Sequence, residues 1–162
     1  MDEFCTELQA LRDDYEGLVS DNCDEPQTTP ERCPGQLGIR CGDEASYWIE
    51  GEGYCAAHIT DEVGEMYGEA ASELAARHVY ITGGDMPDAD QVREGRDRGL
   101  ILTGDWFAYC RHTYSNYDEL ISRLDRNDLL DQVIYTAIRD RVYTLLEEYA
   151  AQHSIATEAY ER

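Results

Sequence analysis

Apolar side chains recur at helical spacing along this chain, and this pattern restricts the fold more than any other feature. In the segment 3–19 successive apolar positions lie 4, 3, 4 and 3 residues apart: Phe4, Leu8, Leu11, Tyr15 and Leu18. A second run has spacings of 4, 4, 4, 3 and 4: Leu130, Ile134, Ile138, Val142, Leu145 and Tyr149. Side chains three or four residues apart share one face of an α-helix. The sequence therefore predicts a mainly α-helical, bundle-like fold.

A further helix is predicted from Thr60, because a hydroxyl side chain followed by acidic residues is typical of a helix start. It runs to about Arg77 and has an apolar face of six residues: Val63, Met66, Tyr67, Ala70, Leu74 and Ala75. The runs 79–83 and 100–104 are rich in β-branched and apolar residues, and each ends in Thr-Gly. They either pair as a small two-stranded sheet or form two extended loop segments.

Polar side chains also indicate where the later helices begin. Residues 88–98 are predicted to be helical, and Asp105 precedes an aromatic helix. Ser115 and Asp118 have the spacing of a capping box for a short helix. Asn127 is expected to cap the longest helix, which carries the second apolar run.

The charge of the chain is large and negative. Of 162 residues, 35 are acidic and 13 are basic, which gives a formal net charge of −22, and every basic residue is Arg. This composition resembles that of haloarchaeal proteins, whose surface carboxylates hold water and cations in molar salt. Lysine stems would add exposed apolar surface under those conditions. We therefore expect a halophilic protein, from a haloarchaeon or a haloarchaeal virus.

The location of the protein follows from what the chain lacks. No stretch approaches the roughly 20 apolar residues that a membrane-spanning helix needs. The first residues are acidic, whereas a signal peptide begins with basic residues. We expect a protein of the cytoplasm or of a virus particle that is neither secreted nor bound to a membrane.

Three cysteines and a histidine form the clearest candidate site. Cys33, Cys41, Cys55 and His58 lie close together in the sequence. Thiolate and imidazole groups are the ligands that tetrahedral Zn²⁺ prefers, and structural disulfides are disfavoured inside cells. The sequence thus predicts a structural Zn²⁺ site, with ordinary buried thiols or a disulfide as the alternatives. Cys23 is an alternative first ligand, because the gap between Cys33 and Cys41 is longer than in most zinc knuckles.

The segment 53–58, Gly-Tyr-Cys-Ala-Ala-His, resembles the end of small treble-clef-like zinc fingers. The resemblance implies a β-hairpin, with one strand at Tyr47–Ile49, that leads into a helix over residues 54–60 carrying the last two ligands. Some proteins with this motif are nucleases. The helix after His58, however, offers neither an Asn nor a second His for catalysis. The resemblance therefore implies a structural metal site and no enzymatic activity.

The expected organisation has four parts within a single domain. These are an N-terminal helix at 1–22, a zinc-knuckle insertion at 23–60, a helical body at 61–152 and a tail at 153–162. No catalytic constellation stands out among the 35 acidic residues. We therefore expect a non-enzymatic, zinc-stabilised structural or adaptor protein that binds other protein subunits. The expected assembly is homo- or hetero-oligomeric, such as the head or head-to-tail connector of a tailed virus.

An aromatic group after Asp105 is the expected interface, with core packing as the alternative: Trp106, Phe107, Tyr109, Tyr114 and Tyr117. Two other functions remain open. A DNA-binding regulator would use the finger and three arginines: Arg93, Arg96 and Arg98. An acidic nucleic-acid mimic would need its carboxylates gathered on one face, whereas the acids are spread along the chain.

Overall fold

The computed structural model describes residues 2–20, 47–49, 52–82, 85–101 and 105–157. This part of the chain is mainly helical, as predicted. Its helices are α1 (Glu3–Leu18), α2 (Ala56–His78), α3 (Ala89–Asp97), α4 (Trp106–Thr113), α5 (Tyr117–Ile121) and α6 (Leu129–Gln152). Its strands are β1 (Val19–Ser20), β2 (Tyr47–Ile49) and β3 (Glu52–Tyr54).

Two compact units can be distinguished. Unit 1 comprises Met1–Ala70 and Arg126–Val133, and unit 2 comprises Ala71–Asp125 and Ile134–Arg162. Most of the zinc-knuckle insertion predicted at 23–60 lies outside the described residues, namely 23–46, 50 and 51, as does the end of the predicted tail.

Unit 1 contains a small antiparallel sheet with the strand order β1-β2-β3. The β2–β3 pair is the predicted hairpin, in which Trp48 lies opposite Gly53. β1 follows α1 without a break, and its Val19 lies opposite Ile49. The helical pattern of the N-terminal segment did not predict this two-residue strand, because Leu18 and Val19 continue the apolar run.

In the described part of unit 1, buried apolar side chains lie beside two partly buried polar contacts. Phe4 and Leu8 of α1 are buried, whereas Leu18 at the end of the same predicted stripe is 38% exposed. The guanidinium of Arg12 donates to both carboxylate oxygens of Asp131, from Nε at 3.2 Å and from Nη2 at 2.5 Å. Asp131 is 1% exposed. This ion pair links two segments that are distant in sequence.

A tyrosine and an aspartate form the second polar contact of unit 1. The hydroxyl of Tyr67 donates to Oδ2 of Asp14 at 2.8 Å. Burial, together with this hydrogen bond, raises the pKa of Tyr67 well above its usual range. The phenol therefore stays protonated and keeps its hydrogen bond at every ordinary pH.

Helix α2 begins earlier than Thr60. It starts at Ala56, and the hydroxyl of Thr60 donates within the helix to the carbonyl of Ala56 at 3.1 Å. The zinc-finger resemblance implied a helix over residues 54–60, whereas Tyr54 ends β3 and the helix begins two residues later. Six side chains of the helix are buried: Ile59, Val63, Tyr67, Ala71, Leu74 and Ala75. Met66 was predicted on this face but is 39% exposed.

Helix α6 supplies unit 2 with its longest apolar stripe. Ile134, Ile138 and Val142 are fully buried, as the spacing predicted. Leu146, four residues after Val142, is also fully buried, whereas the predicted Leu145 is partly exposed. A step of four residues continues a helical stripe as well as a step of three, and only packing decides between neighbouring leucines.

Two of the predicted helix starts are confirmed. Asp88 caps α3, and its carboxylate forms a capping box with Gln91. The carboxylate of Asp105 accepts a hydrogen bond from the backbone N–H of Ala108, 2.7 Å away, and caps α4. Both aspartates precede their helices directly and accept from the third helical residue, as an N-cap side chain does.

The other two predicted caps are wrong by one residue. Asn116 rather than Ser115 occupies the cap position of α5, and it makes no side-chain capping bond there. The carboxylate of Asp118 instead lies 2.6 Å from Nδ1 of His112. At α6 the carboxylate of Asp128, not the side chain of Asn127, accepts from the backbone of Asp131 at 3.1 Å.

The two β-prone runs do not pair with each other in the residues described. Ile81 forms an isolated bridge with Ser115, and the backbone N–H of Thr82 donates to Tyr114 at 2.8 Å. The backbone N–H groups of Leu100 and Ile101 instead donate to Gly95, at the end of α3. These observations favour the loop alternative over a small second sheet.

Candidate metal centre

Cys55 and His58 lie at the junction between the hairpin and α2. Cys55 is the residue between β3 and α2, and His58 belongs to the first turn of the helix. Their side chains point to the same side, because Sγ of Cys55 is 3.2 Å from Nδ1 of His58. Cys55 is 6% exposed, and His58 is partly exposed. The hairpin and the helix start thus bring the two predicted ligands together.

The separation of these two atoms suits a shared metal ion. Zn²⁺ binds sulfur at about 2.3 Å and nitrogen at about 2.0–2.1 Å, so two tetrahedral ligands lie about 3.5 Å apart. The observed 3.2 Å is within a few tenths of an ångström of that value. Without a metal the same pair forms a thiol–imidazole hydrogen bond. The arrangement is therefore compatible with both the metal site and the buried-thiol alternative.

The remaining predicted ligands, Cys33 and Cys41, and the alternative Cys23, lie outside the described residues. Within the part of the chain that is described, no group of three or more metal-binding side chains occurs. That part offers two candidate ligands, and a tetrahedral site would need two more from elsewhere in the chain.

Cys110 is a buried thiol with no metal-site geometry. It is 0% exposed, and burial, with a smaller contribution from Asp105, raises its pKa to about 12. His112 lies two residues further along α4 and contacts Asp118 and Arg111. A neutral buried thiol is a poor nucleophile, so this pair fits core packing rather than catalysis.

The aromatic group predicted as an interface is largely inside unit 2. Trp106, Phe107 and Tyr117 are 3%, 4% and 2% exposed, respectively. The indole N–H of Trp106 also donates to the carbonyl of Pro87 at 2.7 Å, which fixes the ring in place. Tyr109 and Tyr114 are partly exposed. Burial of Trp106, Phe107 and Tyr117 favours the core-packing alternative for these three side chains.

The three arginines considered for DNA binding lie on α3 and at its end. Arg93 pairs with Asp90 at 3.3 Å, and Arg98 pairs with Glu94 at 3.6 Å. Acidic residues of the same helix therefore neutralise part of this charge. Arg96 lines a small cavity together with Arg93. The arrangement gives no specific support to a DNA-binding surface.

The structure also brings together a cluster that the sequence did not reveal, which we call the Arg111 cluster: Arg111, His112, Tyr117, Asp118, Arg139 and Tyr143. Nη1 of Arg111 donates to the hydroxyl of Tyr143 at 2.6 Å. These two residues are 32 positions apart in the sequence, on α4 and α6. No local spacing signals such a contact.

Comparison with known proteins leaves the function to be argued from these residues. No family model, curated protein or solved structure matches the chain. Among the described helices, none is both long and apolar enough to span a membrane.

Proposed function

We propose that this chain is a non-enzymatic structural protein that one Zn²⁺ ion stabilises and that acts by binding other protein subunits. The observation that supports the proposal is the 3.2 Å approach of Cys55 Sγ to His58 Nδ1 at the start of α2. Cys41, with either Cys33 or Cys23, would complete four protein ligands. A site with four protein ligands has no position for water or substrate, so it stabilises and does not catalyse.

The short strands of unit 1 give the metal a physical role. β2 and β3 have three residues each and β1 has two. A sheet of this size is marginally stable by itself in water. Zn²⁺ would join the hairpin to α2 and to a segment of the chain distant in sequence, and its binding free energy would contribute to folding.

The proposed adaptor role is based on the composition and the size of the chain. The acidic, lysine-free composition favours a protein that works in molar salt. Small helical subunits of this size occur in tailed-virus particles, and by that analogy we propose a subunit of a larger assembly. Its partners would be other protein chains, of the same or of a different kind.

Metal content and particle mass test the proposal. The protein is purified in molar KCl, its zinc is measured by elemental analysis, and its mass is measured by light scattering. We expect one Zn²⁺ per chain in an oligomer. A metal-free, well-folded protein would contradict the metal site. A zinc-containing monomer that binds no other subunit would contradict the adaptor role.

Serine variants identify the ligands. Cys55→Ser and His58→Ala should lose the metal, whereas the control Cys5→Ser should keep it, because Cys5 lies on α1 outside the candidate site. Comparison of Cys23→Ser with Cys33→Ser then identifies the first ligand. Far-UV circular dichroism shows whether each variant keeps its helices. Cobalt binding to the unmodified chain, seen through thiolate-to-metal absorption, provides a readout that needs no variant.

A further inference from the structure

Several described arginines pair with carboxylates, as expected in a chain with 35 acidic residues: Arg12–Asp131, Arg93–Asp90, Arg98–Glu94 and Arg123–Glu119. Arg141 of α6 differs from them. No described residue forms a hydrogen bond or an ion pair with it. Its Nε is buried without an acceptor, while the side chain as a whole is partly exposed. A guanidinium with unused donors is suited to bind a carboxylate that another molecule supplies.

Glu148 carries a matching negative charge on the same side of α6. It is exposed, and no described residue forms an ion pair with its carboxylate. Seven residues separate it from Arg141, which corresponds to two helical turns and a rise of about 10.5 Å. The two side chains do not pair with each other in the structure. The helix therefore presents one cation and one anion in a row, each without a partner among the described residues.

The residues around these two charges are uncharged. Ala137, Thr144 and Leu145 are partly exposed, and Gln152 is exposed. Spacings of three and four residues place all six side chains on one side of the helix, which we call the α6 face: Ala137, Arg141, Thr144, Leu145, Glu148 and Gln152. The α6 face has one positive and one negative charge, whereas the whole chain has a net charge of −22. A second acidic molecule can approach such a neutral strip without strong repulsion.

We propose that the α6 face binds the α6 face of a second copy of this chain, with the two helices antiparallel. A two-fold axis between Thr144 and Leu145 places Arg141 of each copy opposite Glu148 of the other. In a parallel arrangement Arg141 would lie beside Arg141, so the charges favour the antiparallel one. Opposite charges across two helices fix their orientation and register, as they do in coiled coils.

This inference rests on the proposed binding of other subunits and names the partner as a second copy. It does not depend on the metal, because residues 137–152 belong to unit 2. One face of one helix is small for a permanent interface, so the dimer should dissociate on dilution. Molar salt should not abolish it, since ion pairs that are partly buried in an interface are screened less than exposed ones.

Charge reversal tests the arrangement, with dimerisation measured by analytical ultracentrifugation over a range of protein concentrations in molar KCl. We expect Arg141→Glu and Glu148→Arg each to weaken the dimer roughly tenfold, because each creates two contacts between like charges. The double variant Arg141→Glu/Glu148→Arg should restore it, since both pairs are then reversed together. Arg98→Glu is the control of equal charge change and should dimerise as the unmodified protein does, because Arg98 lies on α3. Circular dichroism confirms that each variant is folded.

Disulfide cross-linking tests the same arrangement without a change of charge. Thr144→Cys should link two copies on mild oxidation, because residue 144 lies beside the axis. Ala137→Cys is the control, since the two copies of residue 137 would be separated by about 22 Å along the helices. Mass spectrometry identifies the linked peptides and distinguishes them from links through the native cysteines.

Four results would each overturn the inference. These are an unmodified protein that stays monomeric at every concentration, single variants that dimerise like the control, a double variant that does not restore the dimer, and a link through residue 137 as efficient as that through residue 144. A zinc-containing protein that assembles only with other chains would also overturn it, while the proposed function would stand. A dimer with the expected charge dependence but without zinc would support this inference and contradict the metal site.

Discussion

Asp131 is the most completely buried charged side chain among the described residues of unit 1. It is 1% exposed, and the guanidinium of Arg12 donates to both of its carboxylate oxygens. A buried carboxylate without its partner is strongly destabilising, whereas the net contribution of an intact pair is small. The intact Arg12–Asp131 pair therefore adds little net stability, whereas loss of either partner would be costly.

Replacement of Arg12 should show how much an unpaired buried carboxylate destabilises the fold. We expect Arg12→Gln to lower the free energy of unfolding by about 2–3 kcal/mol, somewhat less than for a fully buried pair because Arg12 is 30% exposed. The control Arg98→Gln removes an exposed pair with Glu94 and should change stability by less than about 0.5 kcal/mol. Urea unfolding measures both. Equal effects of the two variants would contradict the role of Asp131.

The thiol of Cys110 makes stability depend on alkaline pH. Burial raises its pKa to about 12, whereas a thiol in the unfolded chain titrates near 8.5–9. The folded state therefore holds the proton more tightly than the unfolded state. This contribution is fully present below about pH 8.5 and is lost as the pH rises toward 12.

We therefore expect the urea midpoint to fall as the pH is raised from about 8.5. The fall should be smaller in Cys110→Ala when each protein is compared with its own midpoint at neutral pH. Cys5 is partly exposed and serves as the control, since Cys5→Ala should leave the pH dependence unchanged. An identical pH dependence in the Cys110 variant would show that the buried thiol does not contribute.

At the scale of single elements, two helices end in the same hydrogen-bonding pattern with different residues. After α3, Gly99 has φ +72°, and the backbone N–H of Leu100 donates to Gly95. After α6, Ser154 has φ 54°, and the N–H of Ile155 donates to Ala150. Both ends are Schellman motifs, which require a left-handed residue, usually glycine.

Substitutions at these two positions should have opposite effects. Gly99→Ala should destabilise by about 1 kcal/mol, because a side chain disfavours the left-handed conformation. Ser154→Gly should stabilise by about 0.5–1 kcal/mol for the same reason. Thermal unfolding of both variants measures the difference. A change of the same sign in both would show that the left-handed backbone is not the cause.

The helices and the hairpin were predictable because they depend on local patterns. The apolar spacing of α6 and the cap residues Asp88 and Asp105 are readable over a few positions. The errors at Ser115 and Asn127 amount to one residue each, since a neighbouring polar side chain could serve equally well. Local patterns do not show which polar side chain will form a hydrogen bond with a residue of another element.

Long-range contacts could not be predicted in the same way. The Arg12–Asp131 pair joins residues 119 positions apart, and the Arg111–Tyr143 contact joins residues 32 positions apart. For the aromatic residues after Asp105, the sequence left two interpretations open, a buried core and an exposed interface. Their composition suits an interface and a core equally well, and burial alone distinguishes the two. The pairing of Cys55 with His58 was predictable because a three-residue spacing at a helix start fixes it.

At the scale of the whole molecule, the net charge of −22 should make folding depend on salt. Self-repulsion of the carboxylates destabilises the compact state, and screening removes it. We expect the melting temperature to be higher in molar KCl than in dilute buffer. Sucrose, which is excluded from protein surfaces but does not screen charge, is the control and should stabilise less. A melting temperature that does not rise with KCl would contradict the halophilic interpretation.

Zinc-edge X-ray absorption of the purified protein shows whether a metal ion is bound at Cys55 and His58 and which atoms hold it. We expect three sulfur ligands at about 2.3 Å and one nitrogen ligand at about 2.0–2.1 Å, since three thiolates and His58 would hold the ion. Loss of the zinc signal in Cys55→Ser, and no change in Cys5→Ser, would complete the assignment. A protein that binds no zinc, or zinc held only by oxygen and nitrogen, would contradict it.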